Sequence, residues 1–360
     1  MSLDQNNGKN EQVINESSNQ RFKIALDLLP NLIKNNAINS IMLTGSVSLG
    51  WSTKDSDIDL MAFINDIDTP PDDKFHVRDI DIFVEYYNQQ TCLDKFKSNN
   101  LDFAELRIAG RIANSRCLYQ TENSGYNLIN AASRAKLGYE HVLNALNTSR
   151  MFLNEAKSHV DNKNITELAL RDASNIMGTL WLCFSKCKFQ KPKWFVNSLQ
   201  KYAPNFVDVF LDIHNLKIAN KNDGSSTLKI ADEILTTSEK KLLEANEHHL
   251  TRSQRRRMWL AKETLREANG LLASNLYNAS IYTARFAVQL VLITILSQGM
   301  EVSGLSGILK SLVKVEEFKE LNNKYTFLMN LRESINQKLI SQLESELNSL
   351  NNKTNKEYEK

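Results

Sequence analysis

The segment from Leu43 to Leu60, LTGSVSLGWSTKDSDIDL, constrains the fold of this chain more than any other stretch. An apolar run ends there at Gly45 and Ser46, and Asp57 and Asp59 follow in a short alternation of acidic and apolar residues. Side chains two positions apart in a strand point to the same face. Glycine in the turn allows a ligand to approach the backbone closely. The segment therefore predicts two strands joined through a tight turn, with two carboxylates on one strand face.

A second alternating segment supplies more acidic side chains. Residues Val77 to Tyr86, VRDIDIFVEY, alternate in the way that predicts a strand, and Asp79, Asp81 and Glu85 share one of its faces. A neighbouring strand could thus add a third carboxylate to the first pair.

This acidic set fits phosphoryl or nucleotidyl transfer. Two Mg²⁺ ions about 3.5–4 Å apart neutralise the transferred phosphate and the leaving pyrophosphate, and they require oxygen ligands on one surface. Asp57 and Asp59 are predicted to bridge the two ions. Asp81 is the predicted third ligand, which also accepts the proton of the attacking hydroxyl, and Asp79 is the alternative to it.

The Gly-Ser turn is the predicted phosphate site. Backbone N–H groups and a hydroxyl near a helix start can bind terminal phosphates, which makes Gly45 and Ser46 the expected contacts. Lys54 stands beside the acidic residues and is a further candidate, with ordinary surface charge as the alternative.

The order of these residues resembles the nucleotidyltransferases of the DNA polymerase beta superfamily. The shared pattern consists of Thr44 to Ser46, a spacer, Asp57 to Leu60, and Asp81 in a later strand. The stretch Arg111 to Tyr119, RIANSRCLY, is similar to the compact members that modify small molecules, the aminoglycoside and lincosamide nucleotidyltransferases. The resemblance implies that the Gly-Ser pair binds the donor triphosphate, that the first two aspartates bind Mg²⁺, and that Asp81 is the third metal ligand or base.

Length and composition extend the prediction to the whole chain. With 360 residues, 42% of them hydrophobic, it can form two or three domains with hydrophobic cores. Only 12 Gly and 5 Pro favour helix in the long periodic segments. The predicted fold class is α+β: a small mixed-sheet nucleotidyltransferase domain followed by all-α helical-bundle domains.

The predicted domain boundaries follow changes in composition along the chain. The polar, Asn-rich start predicts a disordered lead-in at 1–20, and the alternating segments predict a catalytic domain at 21–126. A helical domain is expected at 127–227, and the resemblance implies that it binds the substrate. Glu140 or Asp172 could orient an acceptor there, with a solvated helix face as the alternative for each. The segment Lys221 to Thr227, KNDGSST, is the predicted linker to a second helical domain at 228–360.

Residues Met258 to Val313 resemble the HEPN helical domain, a module that is often coupled to nucleotidyltransferases. Their apolar positions have helical spacing, so most of them are expected in a core. HEPN ribonucleases carry an Arg followed a few residues later by His, whereas no His follows Arg332. The resemblance therefore implies a substrate-binding or dimer-forming module, which leaves a homodimer open.

The sequence predicts an Mg²⁺-dependent enzyme that moves a nucleoside monophosphate from an NTP, expected to be ATP, to a hydroxyl or amine of a small molecule. Antibiotic modification and biosynthetic tailoring both fit. The alternatives are a protein-nucleotidylating regulator of the toxin–antitoxin type and an RNA end-adding enzyme. The net charge of +2 argues against a nucleic-acid partner, because such binding requires a strongly basic groove.

The sequence also predicts where the protein resides. Four cysteines without framework spacing predict reduced thiols in a cytoplasmic protein. The longest apolar run, Phe286 to Leu296, is about half the length that crosses a bilayer, so no membrane association is expected.

Overall fold

A computed structural model describes residues 4–33, 38–65, 73–185, 191–245, 250–297, 302–331 and 337–358, with side chains from residue 16 onward. The chain divides into two compact units, Met1–His141 with Cys183–Gln190 and Val142–Leu182 with Lys191–Lys360. The first, the sheet unit, contains a small mixed sheet with helices, and the second, the helical unit, is built from helices in its described part. The predicted α+β fold class is confirmed.

The sheet of the first unit has five strands among the described residues, in the order β3-β4-β2-β1-β5. Strands β2 and β4 are parallel, and the other neighbours are antiparallel. The strands are β1 (Ile38–Thr44), β2 (Ile58–Ile64), β3 (Asp73–Val77), β4 (Ile80–Asn88) and β5 (Arg116–Gln120).

The helices of the sheet unit are α1 (Asp4–Ile33), α2 (Gly45–Leu49), α3 (Gln89–Ser98), α4 (Phe103–Ala113) and α5 (Ser124–Arg134). Helix α4 begins at a capping box, because the Asp102 carboxylate accepts from the Glu105 N–H and the Glu105 carboxylate accepts from the Asp102 N–H. One hydrophobic core joins Ile24 and Ala25 of α1 to Leu60 and Ile82 of the sheet. Since alternate residues point to opposite faces, Asp59 and Glu85 lie on the other face of the sheet.

The strand β3 was not expected, because its residues are polar and largely exposed, as edge strands often are. It reaches β4 through Arg78 and Asp79, which both have positive φ (51° and 63°) in a two-residue hairpin turn. Asp79 therefore lies in a turn and not on the strand face that it was predicted to share with Asp81 and Glu85.

The start of the chain differs from its prediction as a disordered lead-in at 1–20. Residues 4–20 belong to α1, which continues past Pro30 to Ile33. Ser17 and Ser18 hydrogen-bond to the segment that follows α2, so long-range contacts hold the helix where local composition predicts disorder.

The helical unit contains ten α-helices among the described residues, the first of which begins at the end of the sheet unit. They are α6 (Tyr139–Ser158), α7 (Lys163–Cys183), α8 (Pro192–Tyr202), α9 (Pro204–Ile213), α10 (Lys221–Ala245), α11 (Arg252–Ala273), α12 (Tyr277–Leu296), α13 (Gly304–Lys314), α14 (Lys319–Met329) and α15 (Gln337–Tyr358). One hydrophobic core contains Leu168 of α7, Leu228 of α10, Leu265 of α11 and Ile308 of α13. This core spans the boundary predicted between residues 227 and 228.

The predicted linker Lys221 to Thr227 forms the first turns of α10. The Asn220 side chain accepts hydrogen bonds from the N–H groups of Asn222 and Asp223, which starts the helix. Gly224 packs so closely on α11 that a Cβ there would lie 2.6 Å from Leu272 Cδ1. The glycine that suggested a linker serves close helix packing.

One described helix, α12 at Tyr277–Leu296, is long and apolar enough to cross a membrane by length and composition. Of its apolar window, 72% is buried inside the protein. Such burial is typical of a helix in a protein core.

Candidate active site

The carboxylate of Asp59 lies against the glycine of the turn. Antiparallel pairing places Thr44 opposite Asp59, and Gly45 follows with φ +69°, in the left-handed region that favours glycine. A Cβ built on Gly45 would lie 2.2 Å from Asp59 Oδ2, a distance that no side chain tolerates. We call this close approach the Gly45–Asp59 cradle. This close approach is consistent with the prediction that the Gly-Ser turn and the acidic strand act together.

The turn itself is held by local hydrogen bonds. Ser48 Oγ donates to the Gly45 carbonyl at 2.9 Å, and the Trp51 N–H donates to the Ser46 carbonyl at 2.8 Å. Gly50 ends α2 with φ +75°. These contacts fix the backbone of the predicted phosphate site, with Ser46 buried and Gly45 half-buried.

Asp57 and Lys54 lie in the loop before β2. Asp57 is half-buried and comes one residue before the strand begins at Ile58. Lys54 is exposed in a turn of the same loop, where its carbonyl accepts a hydrogen bond from Arg21. Its predicted role as a phosphate contact stays a prediction.

Asp81 lies on the same sheet face as Asp59, because the parallel register pairs Asp59 with Phe83, two residues further along β4. Two side chains of the edge strand contact it: Lys74 Nζ is 2.9 Å from Oδ2, and His76 Nδ1 is 3.0 Å from Oδ1. Hydrogen bonds from Lys74 and His76 lower the pKa of the Asp81 carboxyl. The carboxylate is thus ionised and held by its neighbours.

The alternative third ligand, Asp79, is placed elsewhere. Its side chain is fully exposed in the β3–β4 turn, and its Oδ1 lies 3.8 Å from His76 Nε2. Of the two candidates, Asp81 alone lies on the face of β4 that carries the acidic residues.

Glu85 and two arginines of α4 belong to the same face and were not nominated from the sequence. Arg111 donates to Glu85 Oε2 from Nη1 at 2.5 Å and to Thr44 Oγ1 from Nη2 at 3.3 Å. Burial opposes the charge of Arg111, but Asp59 and Glu85 outweigh it and raise its pKa. A fixed guanidinium therefore stands beside the Gly45–Asp59 cradle.

Arg107 lies one helical turn before Arg111 and faces the same carboxylates. Burial and the charge of Arg111 lower its pKa, while Glu85 and Asp59 act in the opposite direction. The available sequence signal was the spacing of four between the two arginines, which puts both on one side of α4. It did not reveal that this side meets the acidic strands.

The donor chemistry of the cradle fits Mg²⁺. Within the described ranges, no group of three or more His, Cys, Asp and Glu side chains is arranged to hold a metal. Mg²⁺ is commonly bound by one or two carboxylates together with substrate phosphates and waters, and Asp57 and Asp59 supply such hard oxygen ligands. Magnesium binding by Asp57, Asp59 and Asp81 stays a prediction.

The two acidic residues considered for acceptor binding have other environments. Asp172 is buried and accepts hydrogen bonds from the N–H groups of Leu305 and Ser306 at 2.8 and 3.1 Å, at the start of α13. Gly304 has φ +68°, and a Cβ there would meet the Asp172 carboxylate. Asp172 therefore caps a helix, and Glu140 is an exposed residue of α6.

The similarity of this chain to known proteins is structural. No protein-family model and no curated protein matches the sequence. Among solved structures, the chain is similar to a nucleotidyltransferase-like protein from Exiguobacterium sibiricum 255-15, with 10% sequence identity and a TM-score of 0.30. The match covers 84% of this chain and 86% of that one.

Proposed function

We propose that the sheet unit transfers a nucleoside monophosphate from an NTP, in the presence of Mg²⁺, to a hydroxyl or amine of a small molecule. The main support for this proposal is the Gly45–Asp59 cradle. There the Asp59 carboxylate lies so close to the turn that residue 45 has no room for a side chain, which leaves the backbone of the turn uncovered. Half-buried Asp57 next to it adds a second carboxylate. ATP is the expected donor, and antibiotic modification or biosynthetic tailoring is the expected role.

The residues have distinct roles in the proposed reaction. Asp57 and Asp59 would hold two Mg²⁺ ions, with Asp81 as third ligand or base, and Gly45, Ser46 and Lys54 would bind the triphosphate. Bound Mg²⁺ would supply charge neutralisation at the phosphates.

The bond changes define what the protein must arrange. The acceptor oxygen or nitrogen forms a bond to the α-phosphorus, the bond from that phosphorus to the bridging oxygen breaks, and pyrophosphate leaves. The acceptor proton passes to a carboxylate, for which Asp81 is the candidate. Asp81 would have to exchange its contacts with Lys74 and His76 to take this role.

Arg111 adds a function to this arrangement. Its guanidinium bonds to Glu85 and Thr44 on either side of β2, and Thr44 directly precedes the turn. A planar guanidinium binds phosphate oxygens in a bidentate manner. We assign Arg111 to the donor phosphates, with Glu85 holding it in place.

A second candidate, an RNA acceptor, is favoured by one surface of α11. Arg252, Arg255 and Arg256 are exposed and share a helix face with Trp259, whose side chain is 62% exposed. Guanidinium groups can contact phosphates and an exposed indole can stack on a base. The resemblance of this region to HEPN modules stays a prediction, and residues 332–336, where the HEPN motif would be judged, lie outside the described ranges.

The test is a transfer assay with each of the four NTPs labelled at the α-phosphate. The protein is incubated with Mg²⁺ and, separately, a panel of hydroxyl- and amine-bearing small molecules, RNA, or no acceptor, while pyrophosphate is measured. We expect label on a small molecule and none after chelation of Mg²⁺. Label on RNA or on a protein would replace the acceptor assignment, and no pyrophosphate under any condition would refute the enzyme. A soluble, cytoplasmic enzyme is expected, and its assembly state can be read by size-exclusion chromatography with light scattering.

A further inference from the structure

The position of Asp57 is set outside the sheet. The ladder of β2 with β4 begins at Ile58, and the ladder of β2 with β1 reaches only as far back as Asp59. Backbone pairing therefore fixes Asp59 but not Asp57. Something else must hold the loop of residues 52–57 if both carboxylates are to serve one metal site.

That loop is fastened to α1 by two serines. Ser18 Oγ lies 2.7 Å from Ser52 Oγ, and Ser17 Oγ donates to the Thr53 carbonyl at 3.0 Å. Ser18 and Ser52 are both buried. These bonds tie the first half of the loop to one turn of the helix.

Arg21 fastens the second half. Its Nε donates to the Ser56 carbonyl at 2.7 Å, its Nη2 donates to the Lys54 carbonyl at 2.5 Å, and its Nη1 donates to Ser17 Oγ at 2.6 Å. The residue is 4% exposed. Two donors of one planar group thus span the turn that immediately precedes Asp57, and the third binds Ser17 of α1 itself.

The loop has an internal structure that this contact completes. The Thr53 N–H donates to Ser56 Oγ at 2.9 Å, and the Ser56 N–H donates to the Thr53 carbonyl at 3.1 Å. These bonds do not involve the carbonyls of Lys54 and Ser56, which accept hydrogen bonds from Arg21 instead. A lysine could not replace it, because an ammonium is a point charge without the fork that reaches two carbonyls.

Charge supports the same placement. Burial lowers the pKa of Arg21, while the negative charges of Asp55 and Asp57 act in the opposite direction. The guanidinium stays a cation near the loop carboxylates, since arginine is not deprotonated in proteins.

We propose that Arg21 is a positioning residue, which holds the backbone of residues 54–56 so that Asp57 stands beside Asp59 as a metal ligand. The inference rests on the proposed function, because it assumes that the two aspartates bind a divalent cation. It makes α1 a part of the metal site. Residues that orient metal ligands change metal affinity by roughly 10–100-fold when replaced.

The test compares Arg21→Gln with Lys23→Gln, a matched change at an exposed cation of the same helix. The order of the loop is measured by hydrogen exchange of its hydrogen-bonded amides, those of Ser52, Thr53 and Ser56. Titration with Mn²⁺ alone, followed by electron paramagnetic resonance, measures the metal site without turnover. Arg21→Lys is made as well, because it keeps the charge if the glutamine variant does not fold.

In both Arg21 variants we expect faster exchange of these amides, unchanged exchange in β4, and Mn²⁺ binding weaker by about 10-fold. Lys23→Gln should match the wild type in both measurements. Faster loop exchange with unchanged Mn²⁺ affinity would overturn the positioning role, as would unchanged loop exchange or a rise in exchange throughout the sheet. Wild-type protein that binds no Mn²⁺ would instead refute the metal site of the proposed function, so the two failures are distinguishable.

Discussion

The arginines of the two units differ in what their donors meet. In the helical unit, Arg171 donates to the carbonyls of Ile213 and Met329 and to the carboxylate of buried Glu167. In the sheet unit, Arg111 donates to the half-exposed carboxylate of Glu85 and to the Thr44 hydroxyl beside the cradle.

Arg285 repeats the arrangement of the helical unit. It donates to the carbonyls of Leu328 and His214, so that the two buried arginines bind the last carbonyls of α9 and α14. Burial, followed by the charge of Arg171, lowers the pKa of Arg285 well below its usual range. Arginine donors bound to helix-end carbonyls therefore join elements of the fold, whereas arginine donors that face carboxylates near the Gly45–Asp59 cradle belong to the candidate site.

The largest effect is expected at the cradle. Asp59→Asn should lower nucleotidyl transfer by about 10³-fold, the size associated with loss of a preorganised electrostatic group, with the melting temperature nearly unchanged. Asp79→Asn, in the exposed turn, is the control and should keep wild-type turnover. The measurement is pyrophosphate release at saturating NTP. Full activity in Asp59→Asn would show that this carboxylate does not act in the reaction. The contrast between the arginines of the two units would then no longer mark a catalytic site.

A buried arginine should instead affect stability. Arg171→Leu leaves Glu167 buried without its cation and two helix-end carbonyls without their donor, so we expect a loss of about 3–5 kcal/mol in the free energy of unfolding. Urea denaturation followed by circular dichroism measures it. Mn²⁺ binding of the folded variant should equal that of the wild type. A loss below about 1 kcal/mol would contradict a joining role.

The third effect depends on pH and concerns Asp172. Burial raises the pKa of this carboxyl to about 7, from 3.8, although two backbone N–H groups bond to it. Between these values the folded protein keeps a proton that the unfolded chain has released, so stability is highest at low pH and falls as pH rises toward 7. Between pH 5 and pH 8, ionisation of Asp172 should lower the free energy of unfolding by about 3 kcal/mol.

The comparison for this prediction is Asp172→Asn, which does not titrate. Urea denaturation at several pH values should give a decline that is about 3 kcal/mol smaller in the variant than in the wild type. Parallel pH profiles of the two proteins would show that Asp172 is ionised in the folded state.

The smallest effect is expected for an exposed pair of the helical unit. Lys157 pairs with Glu344, and both side chains are more than two-fifths exposed, at 45% and 41%. Lys157→Ala should change the free energy of unfolding by less than about 1 kcal/mol, because solvent screens such pairs. The same denaturation assay measures it. A change comparable to that of Arg171→Leu would show that burial does not separate the two kinds of ion pair.

Local patterns predicted much of the sheet unit. The two strands predicted on either side of the Gly-Ser turn are β1 at Ile38–Thr44 and β2 at Ile58–Ile64. Alternation and the Gly-Ser turn are properties of neighbouring residues, which explains this success. Exposed β3 was missed because polar residues carry no apolar alternation.

Long-range packing explains the other differences. The first turns of α10 pack on α11 through Gly224 and Leu272, and the part of α1 that faces the loop of residues 52–57 is held there by Arg21. Neither contact leaves a local trace, so composition alone suggested a linker and a disordered lead-in.

The amino-acid sequence alone contains the parts of the candidate site: a glycine turn and an alternation of acidic and apolar residues that includes Asp57 and Asp59. How these parts meet depends on tertiary contacts. The pairing of Thr44 with Asp59 places the Asp59 carboxylate against Gly45, and α4 brings Arg111 to the same face of the sheet. The reason is physical, since spacing along a strand fixes which face a side chain takes, but strand register and helix packing fix its neighbours.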